Sequence, residues 1–131
     1  MIVDLISFSF KKKELPDANY IIDVRFLNNP FYVDELRHLT GLDNEVITFF
    51  QKDSEAKKIL KELSSWIEYI IGLNKKAKKE KITIAIGCTG GQHRSPYVVE
   101  RVAKELFKKR DIGELSIYHR ELKKYNVTVE A

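Results

Sequence analysis

The residues from Gly87 to Ser95, Gly-Cys-Thr-Gly-Gly-Gln-His-Arg-Ser, set a thiol, two hydroxyls, an imidazole and a guanidinium among three glycines. Two chemistries fit these types. In the first, Gly87, Gly90 and Gly91 let backbone N–H groups approach an anion. Thr89 and Ser95 add hydroxyl donors, and Arg94 adds a planar fork that matches phosphate. A helix starting near Arg94 or Ser95, with Pro96 in its first turn, would add free donors and the positive end of its dipole. This is a phosphate or sulfate cradle. It is not a Walker A loop, because no Gly-Lys-Ser/Thr ends it. In the second, Cys88, Gly91 and Arg94 spell C-x-x-G-x-x-R, the C-x5-R spacing of cysteine-dependent phosphatases. There a thiolate attacks phosphorus and the arginine holds the equatorial oxygens. The plainer alternatives are a tight turn with Arg94 in a surface ion pair, and Cys88 as a small buried residue at a strand end.

A phosphatase also needs a proton donor for the leaving group. Asp23 and His93 are the candidates; His93 could instead orient a ligand or cap local backbone. Asp23-Val24-Arg25 puts two charges on an otherwise apolar strand. Either they pair with each other, or Arg25 faces the same anion as Arg94. His119 would share the pocket if its strand lay beside the loop strand. His38, between Arg37 and Leu39 and near Glu35, reads as a surface residue. Cys88 and His93 form no metal set by themselves, so no metal is expected, and no cofactor.

The elements that must hold these residues can be read from periodicity. Residues 2–10 alternate Ile6, Phe8 and Phe10 with serines, a strand pattern, and residues 20–27 read as a second strand ended by Asn28-Asn29-Pro30. Asp43 or Asn44 would cap a short helix ending near Phe50, and Asp53 or Ser54 a longer one. On the longer helix Ile59, Leu63, Trp66, Ile67, Ile70 and Ile71 share one face and are expected in the core, with Lys75 to Lys81 as its solvated end. Ile82 to Ile86 reads as a buried central strand. After the loop, Val98, Val99, Val102, Ala103, Leu106 and Phe107 make a helical stripe. Glu114 to Arg120 reads as a last strand and Glu121 to Tyr125 as a turn or short helix. The order β-β-α-α-β-α-β predicts an α/β fold of two or three layers around a mainly parallel sheet, with the loop at the carboxyl ends of the strands.

Composition bounds the rest. The 131 residues suit one domain with its own core, and no linker divides residues 1–131. Lysine and arginine exceed aspartate and glutamate by 23 − 19 = 4, a mild excess that permits a phosphate or nucleic-acid partner without demanding one. One cysteine makes no internal disulfide. No apolar run spans a bilayer and no signal-peptide pattern opens the chain, so a cytoplasmic protein without a membrane partner is expected.

Several segments together carry a family resemblance: SFSFKKKELPDANYIIDVRFLNNPF, ELRHLTGLD, IAIGCTGGQHRSPYVVERVA and HREL. From about Ser7 to Leu122 the chain resembles the C-terminal domain of the RapZ/YvcJ family, standing without that family's N-terminal P-loop domain. The resemblance implies a fold similar to a phosphofructokinase subdomain, self-association into a homo-oligomer, binding of small regulatory RNA as an adaptor to an endoribonuclease, and sensing of glucosamine-6-phosphate. It assigns the sugar-phosphate site to Thr89, Gly90 and Arg94, beside His93. With the loop reading above, the expected ligand set is Thr89, Gly90, Gly91, Gln92, His93, Arg94 and Ser95, joined by Arg25 and Asn29. The chain departs from the family where Phe31 replaces a histidine that often follows Asn-Pro, and where Gln92 replaces a lysine. Its basic tail is reduced to Lys123 and Lys124. Those two, with Lys104, Lys108 and Arg120, are the candidates for RNA. Arg101, Lys109 and Arg110 extend that helix face. The expectation is a regulatory module for a phosphorylated amino sugar or nucleotide sugar. The alternatives are a phosphatase using Cys88, Arg94 and Asp23, and an RNA adaptor whose loop holds backbone phosphate.

Overall fold

A computed structural model describes residues 1–12, 14–108 and 112–122, and the backbone alone of Lys124–Val129. The strands are β1 (Ile2–Ser9), β2 (Tyr20–Asp23), β3 (Lys81–Cys88), β4 (Glu114–His119) and β5 (Lys124–Val129). The helices are α1 (Asn44–Gln51), α2 (Ser54–Lys76) and α3 (Arg94–Phe107), with 3-10 turns at Pro30–Tyr32 and Asp34–Leu36. The sheet order is β2-β3-β1-β4-β5. The first four strands are mutually parallel and β5 pairs antiparallel with β4 at the edge.

The crossovers β2 to β3 and β3 to β4 run in the same direction across the sheet. Right-handed connections therefore put their helices on one face. α3 lies against β1, β3 and β4, and α2 packs on α3. Two layers result, which settles the choice between two and three. The inner face of the sheet is a continuous apolar surface: Val3, Leu5, Ile82, Ile84, Ile86, Leu115 and Ile117 meet Val98, Val99, Val102 and Leu106 of α3 in one core. Phe50 of α1 stacks on Tyr97 with ring centroids 4.4 Å apart. Both rings are buried, so truncating Phe50 to alanine would remove about 3–5 kcal/mol.

Several expectations need correction. The second strand ends at Asp23, not at residue 27, because the Asp23 carboxylate accepts the Arg25 N–H at 2.9 Å and turns the chain. Leu27 N–H then bonds the Val24 carbonyl. On α2 the buried stripe is Ala56, Leu60, Ser64, Ile67 and Ile71. Trp66 lies off it, 44% exposed, packed edge-on against Tyr20. Phe107 is likewise half-exposed. The segment expected as a turn or short helix from Glu121 turns only briefly before β5 begins at Lys124. Tyr125, Val127 and Val129 alternate with Asn126 and Thr128, a period-two signal that could have found this strand.

Candidate functional site

The carboxyl ends of β1, β2 and β3 are adjacent in the sheet, so the segments that leave these strands converge at one edge. β1 runs into Lys11 and Lys12. β2 runs through its turn into Asn29, Phe31 and Tyr32. β3 runs into the glycine loop. Together they enclose a cavity of about 370 Å³ lined by Lys11, Lys12, Asn29, Phe31, Tyr32, Cys88, Thr89, Gly90, Gln92, His93 and Arg94. The expected ligand residues Thr89, Gly90, Gln92, His93, Arg94 and Asn29 all stand on its wall. Lys11 and Lys12 were legible only as a turn, and the convergence of strand ends is what brings them to the site.

The loop is built from inside outward. Gly91 has φ +67°, and a Cβ there would meet the Glu121 side chain at 2.4 Å, so glycine is required. Its N–H donates to Cys88 Sγ at 3.3 Å. Ser95, fully buried, donates its N–H to the same sulfur at 3.4 Å, and its hydroxyl lies 3.2 Å from Sγ. Gly91 and Ser95 thus hold the loop from behind and do not line the cavity. α3 starts without a side-chain cap, and Pro96 has no N–H to give. The N–H groups of Thr89, Gly90, Gln92, His93 and Arg94 donate to no acceptor among the described residues. Unsatisfied donors at a helix start are the physical basis of anion sites.

Arg94 is buried and anchored along one edge: Nη1 donates to the carbonyls of Arg25 at 2.6 Å and Leu27 at 3.2 Å. Its Nε and Nη2 have no partner among the described residues, leaving a fork edge for an anion. Arg25 takes the other course weighed for it. Its guanidinium grips Asp23, with Nη2 to Oδ2 at 2.7 Å, and lies 4.3 Å from the Phe10 ring centre. It contributes a carbonyl to the site, not a side chain. The hydrogen bond from the Arg25 guanidinium holds the Asp23 carboxyl below its ordinary range, outweighing the opposing effect of burial and helped by the Arg25 N–H and the charges of Arg25 and Arg94. Asp23 is therefore ionised near neutrality and suits no general-acid role.

His93 Nε2 lies 2.9 Å from the Leu36 carbonyl, an acceptor, so this nitrogen carries the proton. Burial pushes its pKa down, with the Leu36 carbonyl acting in the opposite direction. Gln92 Nε2 donates to the carbonyls of Arg37 and Leu39 at 2.8 and 2.7 Å. Both side chains tie the loop to the segment before α1. His119 is not at the cavity: β1 separates β4 from β3. Fully buried, it joins Ser7 Oγ and Glu100 Oε2, each at 2.7 Å.

Ser9, which no sequence pattern singled out, joins three segments. Its hydroxyl donates to the Thr89 carbonyl at 2.6 Å and accepts the N–H groups of Lys11 and Lys12. Its N–H donates to Glu121 Oε2, and its carbonyl accepts from Arg120 Nη2. Arg120, expected as an RNA contact, is occupied here, bonding also to Glu121 at 2.8 Å and the Glu14 carbonyl. Of the other RNA candidates, Lys108 pairs with Glu105 and Lys104 is exposed on α3. Lys123, Lys109, Arg110 and the side chain of Lys124 lie outside the described residues.

A two-layer, mainly parallel α/β domain with a glycine-rich strand-to-helix loop on a cavity at its carboxyl edge is the class that fold and site define. The family model described as the RapZ C-terminal domain matches residues 1–123, and the chain belongs to that family. It is 44% identical over 123 residues to a nucleotide-binding protein of Lactobacillus acidophilus, covering 94% of this chain and 41% of the relative. It is 42% identical over 122 residues to a nucleotide-binding protein of Thermoanaerobacter sp. strain X514, covering 93% and 42%. A nucleotide-binding protein of Actinobacillus pleuropneumoniae serotype 5b is 41% identical over 120 residues, covering 92% and 41%. The chain thus spans about two-fifths of the length of these curated relatives. Among the described residues, no helix is long and apolar enough to cross a membrane.

Proposed function

We propose that this chain is a regulatory binding module for a phosphorylated small molecule, of the sugar-phosphate or nucleotide-sugar class. The observation that supports it is the convergence of unpaired loop N–H groups, the open edge of Arg94 and the lysines of the β1–β2 turn on one cavity. Each charge-assisted hydrogen bond made there is worth about 1.5–3 kcal/mol. A ligand that binds only the folded state raises its melting temperature. A panel of sugar phosphates should therefore stabilise the chain, and Arg94→Lys should diminish the shift while keeping a cation in place. No stabilisation by any phosphorylated compound would refute the reading.

Adaptor activity toward RNA rests on the family resemblance. The exposed Lys104 face of α3 would carry it, and the test is salt-dependent retention of small RNA by the full chain. Absence of binding at low salt would remove that role while leaving the small-molecule reading intact.

A further inference from the structure

A second groove, of about 730 Å³, runs between α2 and α3 and shares no lining residue with the cavity at the carboxyl edge. α2 leads into β3 and α3 leaves it, so both helices run against the strands and parallel to each other. Phe50, just ahead of α2, stacks on Tyr97 of α3 and sets their register. Lys57, Lys61 and Arg101 therefore line one end of the groove, and Glu68 and Glu105 the other. Lys57 and Glu68 stand roughly 16 Å apart along α2. The ion pairs of the described residues leave Lys57, Lys61 and Arg101 out, whereas Glu105 is engaged by Lys108 at 3.4 Å. Lys57 and Lys61, one turn apart on α2, repel each other.

The groove floor carries two hydroxyls, those of Ser64 and Tyr97, on residues only 6% and 2% exposed. Neither makes a hydrogen bond to a described residue. No side-chain oxygen sealed from solvent among the described residues lacks a partner, so both hydroxyls open into the groove. Burial holds the Tyr97 phenol above its ordinary pKa, with Arg101 acting against it, so the group is a neutral donor. A hydroxyl set this deep gains most from an ionised acceptor. A carboxylate offers one charge and two oxygens. A phosphate ester offers up to two charges and three terminal oxygens, the better match to three unpaired cations and two free donors. The groove is longer than a phosphate ion, and beyond the cations Leu60 offers an apolar contact and Ser65 a polar one.

We infer that the α2–α3 groove is a second anion site, which takes a small phosphate monoester with its phosphate on Tyr97, Ser64, Arg101 and the two lysines and its organic part along Leu60 toward Ser65. This goes beyond the reading of the carboxyl-edge cavity and does not depend on it.

Nitrogen-15 NMR titration of the full chain tests it, because each site reports through its own signals. The probes are inorganic phosphate, glycerol 3-phosphate, ribose 5-phosphate and glucose 6-phosphate, with citrate, a poly-glutamate peptide and a short RNA as competitors of other chemistry. At least one ester should shift the Ser64 and Ser65 amides and the Arg101 Nε–H in a saturable way, and should bind there roughly fivefold tighter than inorganic phosphate, as one further hydrogen bond contributes. Tyr97→Phe keeps the ring against Phe50 and removes only the hydroxyl; it should weaken groove binding roughly fivefold. Arg101→Gln, on the groove rim, should weaken it about tenfold or more. Unchanged melting temperatures without ligand check that both variants keep the fold. Shifts confined to the Thr89–Arg94 loop overturn the inference and leave the carboxyl-edge site standing. Shifts confined to the groove support it and refute the other site. Groove affinity unmoved by both variants, no ester tighter than inorganic phosphate, or citrate, peptide or RNA binding there more tightly than every ester, each overturns it.

Discussion

Gly41 lies against the start of α3: a methyl group on it would stand 2.3 Å from the carbonyl oxygen of His93 and 2.6 Å from the Tyr97 nitrogen. Both obstacles are backbone, so neither can swing aside. The contact is reinforced where Gly41 N–H donates to the Gln92 carbonyl at 2.9 Å. Gly41→Ala should therefore destabilise the chain by about 1–3 kcal/mol, read by urea denaturation, and should also weaken ligand binding by shifting the loop. Unchanged stability would mean that the segment before α1 does not hold the loop.

Gly90 is the opposite case. A Cβ there meets nothing within 4 Å. Gly90→Ala should leave stability within about 0.5 kcal/mol of the parent, while at the proposed site the added methyl would stand between the loop backbone and a phosphate. Lost binding at constant melting temperature is the expected pattern. Retained affinity would place the ligand elsewhere.

Glu121 couples the end of β4 to the loop. Burial resists its ionisation, but the Ser9 N–H, the Arg120 hydrogen bond and charge, and Lys12 outweigh burial and hold its pKa below the ordinary value. A carboxyl depressed in the folded state adds stability above its unfolded pKa, about 4.3, and that stability is lost as pH falls through the folded value. Glu121→Gln should reduce the loss of stability below about pH 4.3 and cost about 1–3 kcal/mol at neutral pH, since Arg120 loses its charged partner. Thermal melts across pH 3–7 in both proteins decide it.

His93 acts in a higher window. Its folded pKa is depressed, chiefly by burial. Its contribution is present above the unfolded value of about 6.5 and is lost as pH falls below it. Stability should fall between pH 7 and pH 5, and His93→Gln, which keeps a donor for the Leu36 carbonyl, should flatten that part of the profile. An identical slope in the variant would show that other groups carry it.

Cys88 has the surroundings of a nucleophile without a proton donor opposite it. Asp23 is held ionised by Arg25, and the His93 Nε2–H is spent on Leu36. The chain should leave 4-nitrophenyl phosphate unhydrolysed over hours. Turnover that disappears in Cys88→Ser would restore the phosphatase reading.

Local patterns made much of this legible. The apolar run before the glycine loop and the helical stripe after it marked β3 and α3, because strand and helix periodicity are properties of neighbouring residues. Asp53 caps α2, accepting the Glu55 and Ala56 N–H groups, as a short acidic side chain before a helix suggests. What failed was what depends on distant partners. Trp66 stood in an apolar stripe, but the stripe that meets α3 and the sheet lies to one side of it. Arg25 could have faced the anion, and Asp23 two residues earlier claimed it.

The residue types of the Gly87–Ser95 loop, its place between strand and helix, and its family motifs belong to the sequence alone, since spacing, glycine content and capping are written locally. Which of those residues face outward was decided by tertiary packing. Gly91 and Ser95 turn in to the Cys88 sulfur because Glu121 and Phe8 close the back of the loop. Lys11, Lys12, Phe31 and Tyr32 join Thr89, Gly90 and Arg94 because the parallel order β2-β3-β1 sets three carboxyl ends side by side. No periodicity encodes that adjacency, because it arises from which strands hydrogen-bond and on which face their crossovers pack.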